Sequence, residues 1–239
     1  MIDISGGGYK EIQDMLWIRP CPKTVRLCNG LDHYEDDYGN VIDSKSDVIV
    51  KFTGYDSKIY IGINVKMPKR EITVGRQVML DIDDNSSMIN ATLNFGMGTK
   101  LTVGKSVGMG TMNVFINHFS TVEIGDKTTL QSGKHRTGRK QKVKIGKDCM
   151  FSWDIVFLPH DGHLIYDLNK ARFTNNTNGT QRESVVIGYH VWIGGETVLM
   201  PNTRIGSGSI CGYRSMLKGE YPNNCILAGM PAKVIRKDI

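Results

Sequence analysis

From Ile187 onward, aliphatic or small apolar residues return at every sixth position: Ile187, Ile193, Leu199, Ile205, Cys211 and Leu217. Four places after each of the first five stands a small or β-branched residue: Val191, Thr197, Thr203, Ser209 and Ser215. Gly188, Gly194, Gly206 and Gly212 directly follow the leading residue in four of the six units. Neither the 3.6-residue period of a helix nor the simple alternation of a strand produces this register. Six-residue flats joined by tight corners do. Three flats close a triangular coil of 18 residues, and successive coils stack at the interstrand spacing of about 4.8 Å. The spacing therefore predicts Ile187 over Ile205, Ile193 over Cys211 and Leu199 over Leu217, with the glycines supplying unusual backbone angles at the corners.

Upstream the register loosens. Val103-Gly104, Ile124-Gly125 and Ile145-Gly146 recur at intervals of 21, read as an 18-residue coil with a short excursion at one corner. Ile61-Gly62 and Val74-Gly75 mark irregular first coils. The pattern predicts an all-β solenoid over 58–218, an N-terminal cap or appendage over 1–57, and a short C-terminal cap over 219–239. Between about 157 and 184 the hexads stop and the stretch NNTNGTQ reads as loop. A long excursion from a regular solenoid is usually functional.

Composition narrows the classes. Glycine is 27 of 239 residues, a chain that turns often. No apolar run is long enough to span a bilayer, and MIDISGGGYKEIQDM lacks a basic segment followed by an apolar one, so a cytoplasmic protein is expected. Five cysteines without paired close spacings suggest neither a disulfide framework nor a zinc motif. Lys and Arg exceed Asp and Glu by 30 to 24. Six of those cations fall in KHRTGRKQKVK, residues 134–144, with no acid among them. That stretch reads either as a solvated loop or as a lure for an anion: cofactor phosphates, an acidic glycan or a peripheral membrane surface. Nucleic acid is not expected, because no aromatic residue interleaves with the charges.

The segment IGYHVWIGGETVLMPNTRIGSGSICGYRSMLKGEYPNNCILAGMPAKVIR, residues 187–236, resembles the carboxy-terminal half of bacterial sugar O-acetyltransferases of the hexapeptide-repeat acyltransferase family. SWDIVFLPHDGHLIYD, residues 152–167, is similar to a segment of polysaccharide and capsule acetyltransferases ending in Asp-Ser-His or Asp-Gly-His. The resemblance covers about 58–239 and implies a left-handed parallel β-helix. It also implies acetyl-CoA as co-substrate, no metal, and a homotrimer whose subunits share the cofactor groove.

Acetyl transfer to a hydroxyl needs a base, donors facing the oxyanion and a groove for the donor. Histidine suits the first because its pKa near 6.5 leaves it largely neutral at neutral pH. The Asp-Gly-His match implies His163 as the general base. His160 is the alternative, and Asp161 is either an orienting carboxylate or a solvated acid. By the resemblance, Gly195 approaches the thioester, and Trp192 either walls the pocket or packs at a subunit contact. Tyr213 and Lys218 replace a usual alanine and threonine. Lys233 and Arg236 match a basic pair near the nucleotide phosphates, or else form a basic tail. Cys149 and Cys211 occupy inward slots and are read as core, and His118 and His190 as structural. The expected reaction moves acetyl to a sugar hydroxyl of a surface glycan, capsule or lipopolysaccharide precursor. N-acetylation of an amino sugar nucleotide, a metal-dependent β-helical carbonic anhydrase and a non-catalytic scaffold are the alternatives.

Overall fold

A computed structural model describes residues 22–27, 33–68, 70–161, 165–173 and 182–239. Every regular element among them is a β-strand, so there is no helix long and apolar enough to cross a membrane. One flat of each coil enters a ten-stranded sheet. Its strands are His33–Glu35, Val41–Ser44, Lys58–Ile61, Met79–Ile82, Lys100–Val103, Thr121–Ile124, Gln141–Ile145, Arg182–Ile187, Thr203–Ile205 and Glu220–Tyr221. All neighbours in it run parallel except the first pair. An eleven-stranded sheet and a three-stranded sheet supply the other sides.

The inward column of the ten-stranded sheet is Ile61, Ile82, Val103, Ile124, Ile145, Ile187 and Ile205, each registered on the next. None is more than 6% exposed, and full burial of each such side chain is worth roughly 1.5–3 kcal/mol. The predicted pairs hold: Ile187 registers with Ile205, Ile193 with Cys211 and Leu199 with Leu217.

The small polar residues at the fourth place serve the stacking directly. Ser86 Oγ donates to Gly104 O at 2.8 Å, and Thr128 Oγ1 donates to Gly146 O at 2.9 Å. The same oxygens accept from Val107 N at 3.0 Å and Cys149 N at 3.1 Å. Each hydroxyl thus bridges a coil to the one above while its own polarity is satisfied, which is why a buried Ser or Thr is tolerated there. Cys149 fills an equivalent slot, and burial pushes its thiol pKa up. The Cys211 thiol is pushed up to about 11 by burial. Both are core, as expected.

Two expectations are corrected. The repeat glycines do not hold the left-handed corner angles. Those angles fall two residues later, at Ser106, Lys127, Asp148, His190 and Glu196 among others. Gly104 and Gly146 are glycines because the next coil passes too close. A Cβ on Gly104 would lie 2.2 Å from Asp126 Oδ1, and one on Gly146 would lie 2.2 Å from Gly188 O. The 21-residue period is also not a coil with one corner excursion. Left-handed residues at Gln77, Asn85, Gly98, Ser106, Phe119, Lys127, Lys140 and Asp148 alternate at eight and thirteen residues. The extra length is spread along the sides. Gly108–Ile116 and Thr129–Arg136 are accordingly long, and the latter pairs with Met150–Phe151 at one end and Ile155–Phe157 at the other. From His190 to Gly208 the corners return every six residues.

Parallel stacking reaches back past residue 58, to Val41, since Val41–Ser44 and Val48–Phe52 already pair in parallel with the coil above. Lys23–Leu27 and His33–Glu35 close that end with antiparallel pairs. At the other end Cys225–Gly229 is still in parallel register, and only Ala232–Lys237 turns back on it. The expected interruption follows Ile155–Phe157. Residues 165–173 form a short hairpin there, with Tyr166 opposite Phe173. The NNTNGTQ stretch lies outside the described residues.

Candidate active site

Trp192 stands on the outer face of the eleven-stranded sheet. The parallel register places Gly108, Thr129, Met150, Trp192, Ile210 and Ile226 in one row. Met150 and Trp192 remain 52% and 47% exposed. With Gly108, Gly110, Thr129 and Ser152 they line an open groove of about 570 Å³. The two glycines add no side chain to it. Trp192 Nε1 donates to Ser152 Oγ at 3.4 Å, which sets the edge of the indole. The row continues to Arg236, which registers with Ile226. Three strand spacings therefore separate Trp192 from Arg236, roughly 14 Å. Lys233 registers with Ala228 on the same returning strand.

The corner beside this row carries Trp153, Gly195, Glu196, Tyr213 and Arg214. A Cβ on Gly195 would lie 2.7 Å from Trp153 Cε2, so the indole covers that glycine. The Trp153 and Tyr213 rings are 6.3 Å apart. The Tyr213 hydroxyl donates to Glu196, whose other oxygen accepts from Arg214 Nε at 2.6 Å. Those two bonds hold the Glu196 carboxyl below its usual range, and the same contact raises the Tyr213 phenol. The Arg214 guanidinium sits 5.1 Å from the Tyr213 ring centroid. Trp153 was not singled out from the sequence. The signal was present, because the 42-residue step that sets Ile145 on Ile187 also sets Trp153 beside Gly195.

His160 lies at another corner, after Ile155–Phe157. Gly138 packs against it, since a Cβ there would come within 2.9 Å of His160 Cβ. Gln141, buried in the coil below, ties this corner down. Its Nε2 donates to Pro159 O at 2.7 Å and its Oε1 accepts from Gly138 N at 2.8 Å. Burial lowers the His160 pKa, Asp161 opposes that shift, and Arg136 adds to it. His163 lies outside the described residues. Lys218 follows Met216–Leu217, whose register with Val198–Leu199 and Ile155–Phe157 puts it at the His160 corner rather than on the Trp192 row.

The other histidines have structural roles. His118 Nδ1 accepts from Met97 N at 2.8 Å, and His190 Nδ1 bonds Asp148 at 2.8 Å. Within the chain, Trp192 and Arg236 share one face, and Gly195 and Tyr213 share the adjoining corner. A full flat, Ile155–Phe157, separates His160 and Asp161 from them. The Trp192 groove has an apolar wall, and the row that carries it continues to Arg236. Among the described residues no group of three or more His, Cys, Asp or Glu is placed to hold a metal ion.

No family model matches the chain. Over 120 residues it is 35% identical to the polysialic acid O-acetyltransferase of Escherichia coli O1:K1 / APEC, covering 50% of this chain and 38% of that protein. Over 162 residues it is 28% identical to the putative lipopolysaccharide biosynthesis O-acetyl transferase WbbJ of Escherichia coli strain K12, covering 64% of this chain and 74% of the relative. The crystal structure of the polysialic acid O-acetyltransferase OatWY aligns with TM-score 0.66 and 25% identity, covering 74% of this chain and 87% of that one. The chain thus spans well under half the length of the first of these relatives. Both of these sequence relatives carry O-acetyltransferase names, and so does the structural neighbour.

Proposed function

We propose that this chain moves acetyl from acetyl-CoA to a sugar hydroxyl of a surface glycan, capsule or lipopolysaccharide precursor. The observation that carries the reading is a solenoid interrupted after Ile155–Phe157, where the sequence runs into PHDGH, in a chain with relatives named O-acetyltransferases. In the proposed reaction His163 Nε2 or Nδ1 accepts the hydroxyl proton as the oxygen attacks the thioester carbonyl. The tetrahedral intermediate then collapses, the C–S bond breaks, and the imidazolium returns its proton to the departing thiolate. His160 and Asp161 neighbour this base in sequence. Trp192 and Gly195 are assigned to the pantetheine arm, and Lys233 and Arg236 to the nucleotide phosphates. Tyr213 and Lys218 complete the proposed set. The Trp192 groove is open along one side, which supports a homotrimer in which a second subunit supplies the missing wall. The cytoplasm is the proposed compartment, because acetyl-CoA is the donor.

A thioester-release assay over a panel of glycans and amino sugar nucleotides tests the reading. Release with a hydroxyl acceptor, lost in His163→Ala and retained in His160→Ala, is expected. Release only with amines, or none with any acceptor, would overturn it.

A further inference from the structure

We infer that the corner carrying Arg136, Arg139 and His160 is a binding edge for an anionic, carboxylate-bearing glycan, and that Arg136 and Arg139 select this acceptor over neutral sugars. The inference rests on the acetyl-transfer reading only for the word acceptor; the binding edge itself is argued from the residues below.

The basic stretch 134–144 does not form a uniform solvated loop. Its residues alternate between the core and the surface. His135, Thr137, Gln141 and Val143 are buried, whereas Lys134, Arg136, Arg139 and Lys144 project outward. Lys142 is committed to Glu123 at 2.8 Å. Arg136 and Arg139 form no ion pair among the described residues, so their charge is available to a ligand. Both are held in place. Arg136 extends from the long strand Thr129–Arg136, in register with Phe115. The Arg139 guanidinium lies 5.3 Å from the Phe119 ring centroid, a cation–π contact that steadies it at an exposed corner. A fixed guanidinium suits the two-pronged recognition of a carboxylate, which a lysine does not match.

Position links the two arginines to the reactive corner. Arg136 follows His135, which registers with Phe157, so it lies against the stretch of the next coil that leads into His160, and its charge lowers the His160 pKa. Gly138, between the arginines in sequence, touches His160. Lys218 extends the same corner upward. Asp161 is the acid on this edge, next to His160.

The cofactor's phosphates are a weaker claim on these charges. Arg236 already stands on the Trp192 row, with Lys233 on the same returning strand, across the flat that separates this row from His160. Two cation sets on different sides of one flat suit two different anions. A membrane surface is also less suited, since the aromatic and aliphatic side chains that would enter a lipid interface do not interleave with the arginines.

The test uses the full chain and a fluorescent oligosaccharide bearing one carboxylate per sugar, with its carboxyl-reduced counterpart as control. Binding is read by polarisation without acetyl-CoA, so it does not depend on turnover. The carboxylated probe is expected to bind at least tenfold more tightly, with affinity falling as salt rises. In Arg136→Gln/Arg139→Gln that preference should vanish, with the melting temperature and coenzyme A affinity unchanged. Equal binding of both probes overturns the inference. So does loss of coenzyme A affinity in the double variant, or binding of anionic vesicles without binding of the carboxylated sugar. Preferential binding without thioester release under any condition would sustain the edge and refute acetyl transfer.

Discussion

The Trp153 indole lies on Gly195, with Cε2 2.7 Å from where a Cβ on that glycine would stand. The contact joins the coil before the interruption to the coil after it, and it does so at the corner next to the Trp192 groove. Gly195→Ala forces the ring outward, and overpacking of this kind costs about 1–3 kcal/mol. In a Trp153→Ala background the same change loses its nearest contacts and should cost clearly less. Denaturant unfolding of the four proteins measures the coupling. Equal costs for Gly195→Ala in both backgrounds would show that the ring does not constrain this corner.

Left-handed corners and close-approach glycines make opposite predictions for substitution. Gly104→Ala drives a Cβ into Asp126, with backbone N only 2.8 Å away, so a loss of about 2 kcal/mol or more is expected. Lys127 holds φ 58, a conformation that costs a side-chain-bearing residue roughly 1–2 kcal/mol. Lys127→Gly removes that strain and adds chain entropy to the unfolded state, so its net effect should stay within about 1 kcal/mol of zero. Unfolding midpoints of the two variants should therefore diverge clearly.

His135 is 3% exposed, packs 5.0 Å from the Phe157 ring centroid, and leaves Nε2 without a partner. Burial alone pushes its pKa down to about 4. Above pH 6.5 the imidazole is neutral in both states and contributes no pH dependence. Between pH 6.5 and 4 the unfolded chain binds a proton that the folded chain does not. Stability then falls by about 1.4 kcal/mol per pH unit, roughly 3 kcal/mol in all, before levelling off. His135→Leu should flatten this part of the pH–stability curve. An unchanged slope in that variant would assign the acid sensitivity elsewhere.

Much of the solenoid was legible because straight flats force residues one coil apart into contact, so Ile187 over Ile205 follows from spacing alone. The corner angles were not legible. Phe119, Lys127 and Glu196 carry left-handed φ values although none of these residue types favours them, and only stacking on the neighbouring coil imposes them. The start of the stack at Val41 was hidden because VIDSKSDVIVKF alternates without the glycine that marks later coils. Trp192 and Arg236 were recognised singly, but their shared row depends on the return of Ala232–Lys237 along Cys225–Gly229, which no hexad encodes. The separation of His160 from Trp192 required knowing which flat each ends, and the interrupted register concealed that.

Gln141 links the two halves of this problem. One side-chain amide accepts from Gly138 N and donates to Pro159 O, 2.8 and 2.7 Å away, so it fixes the chain just before His160. Gln141→Leu keeps the volume and removes both bonds, leaving a buried donor and a buried acceptor unmatched at about 1–3 kcal/mol. If this corner carries the base, kcat should fall about tenfold or more, because small misplacements at a reacting group are costly. The KM for acetyl-CoA should hold, since the Trp192 row lies across the next flat and makes no contact with Gln141 that the register provides. A proportional rise in KM with kcat unchanged would place the donor, rather than the base, at the Gln141 corner and reverse the assignment of the two sites.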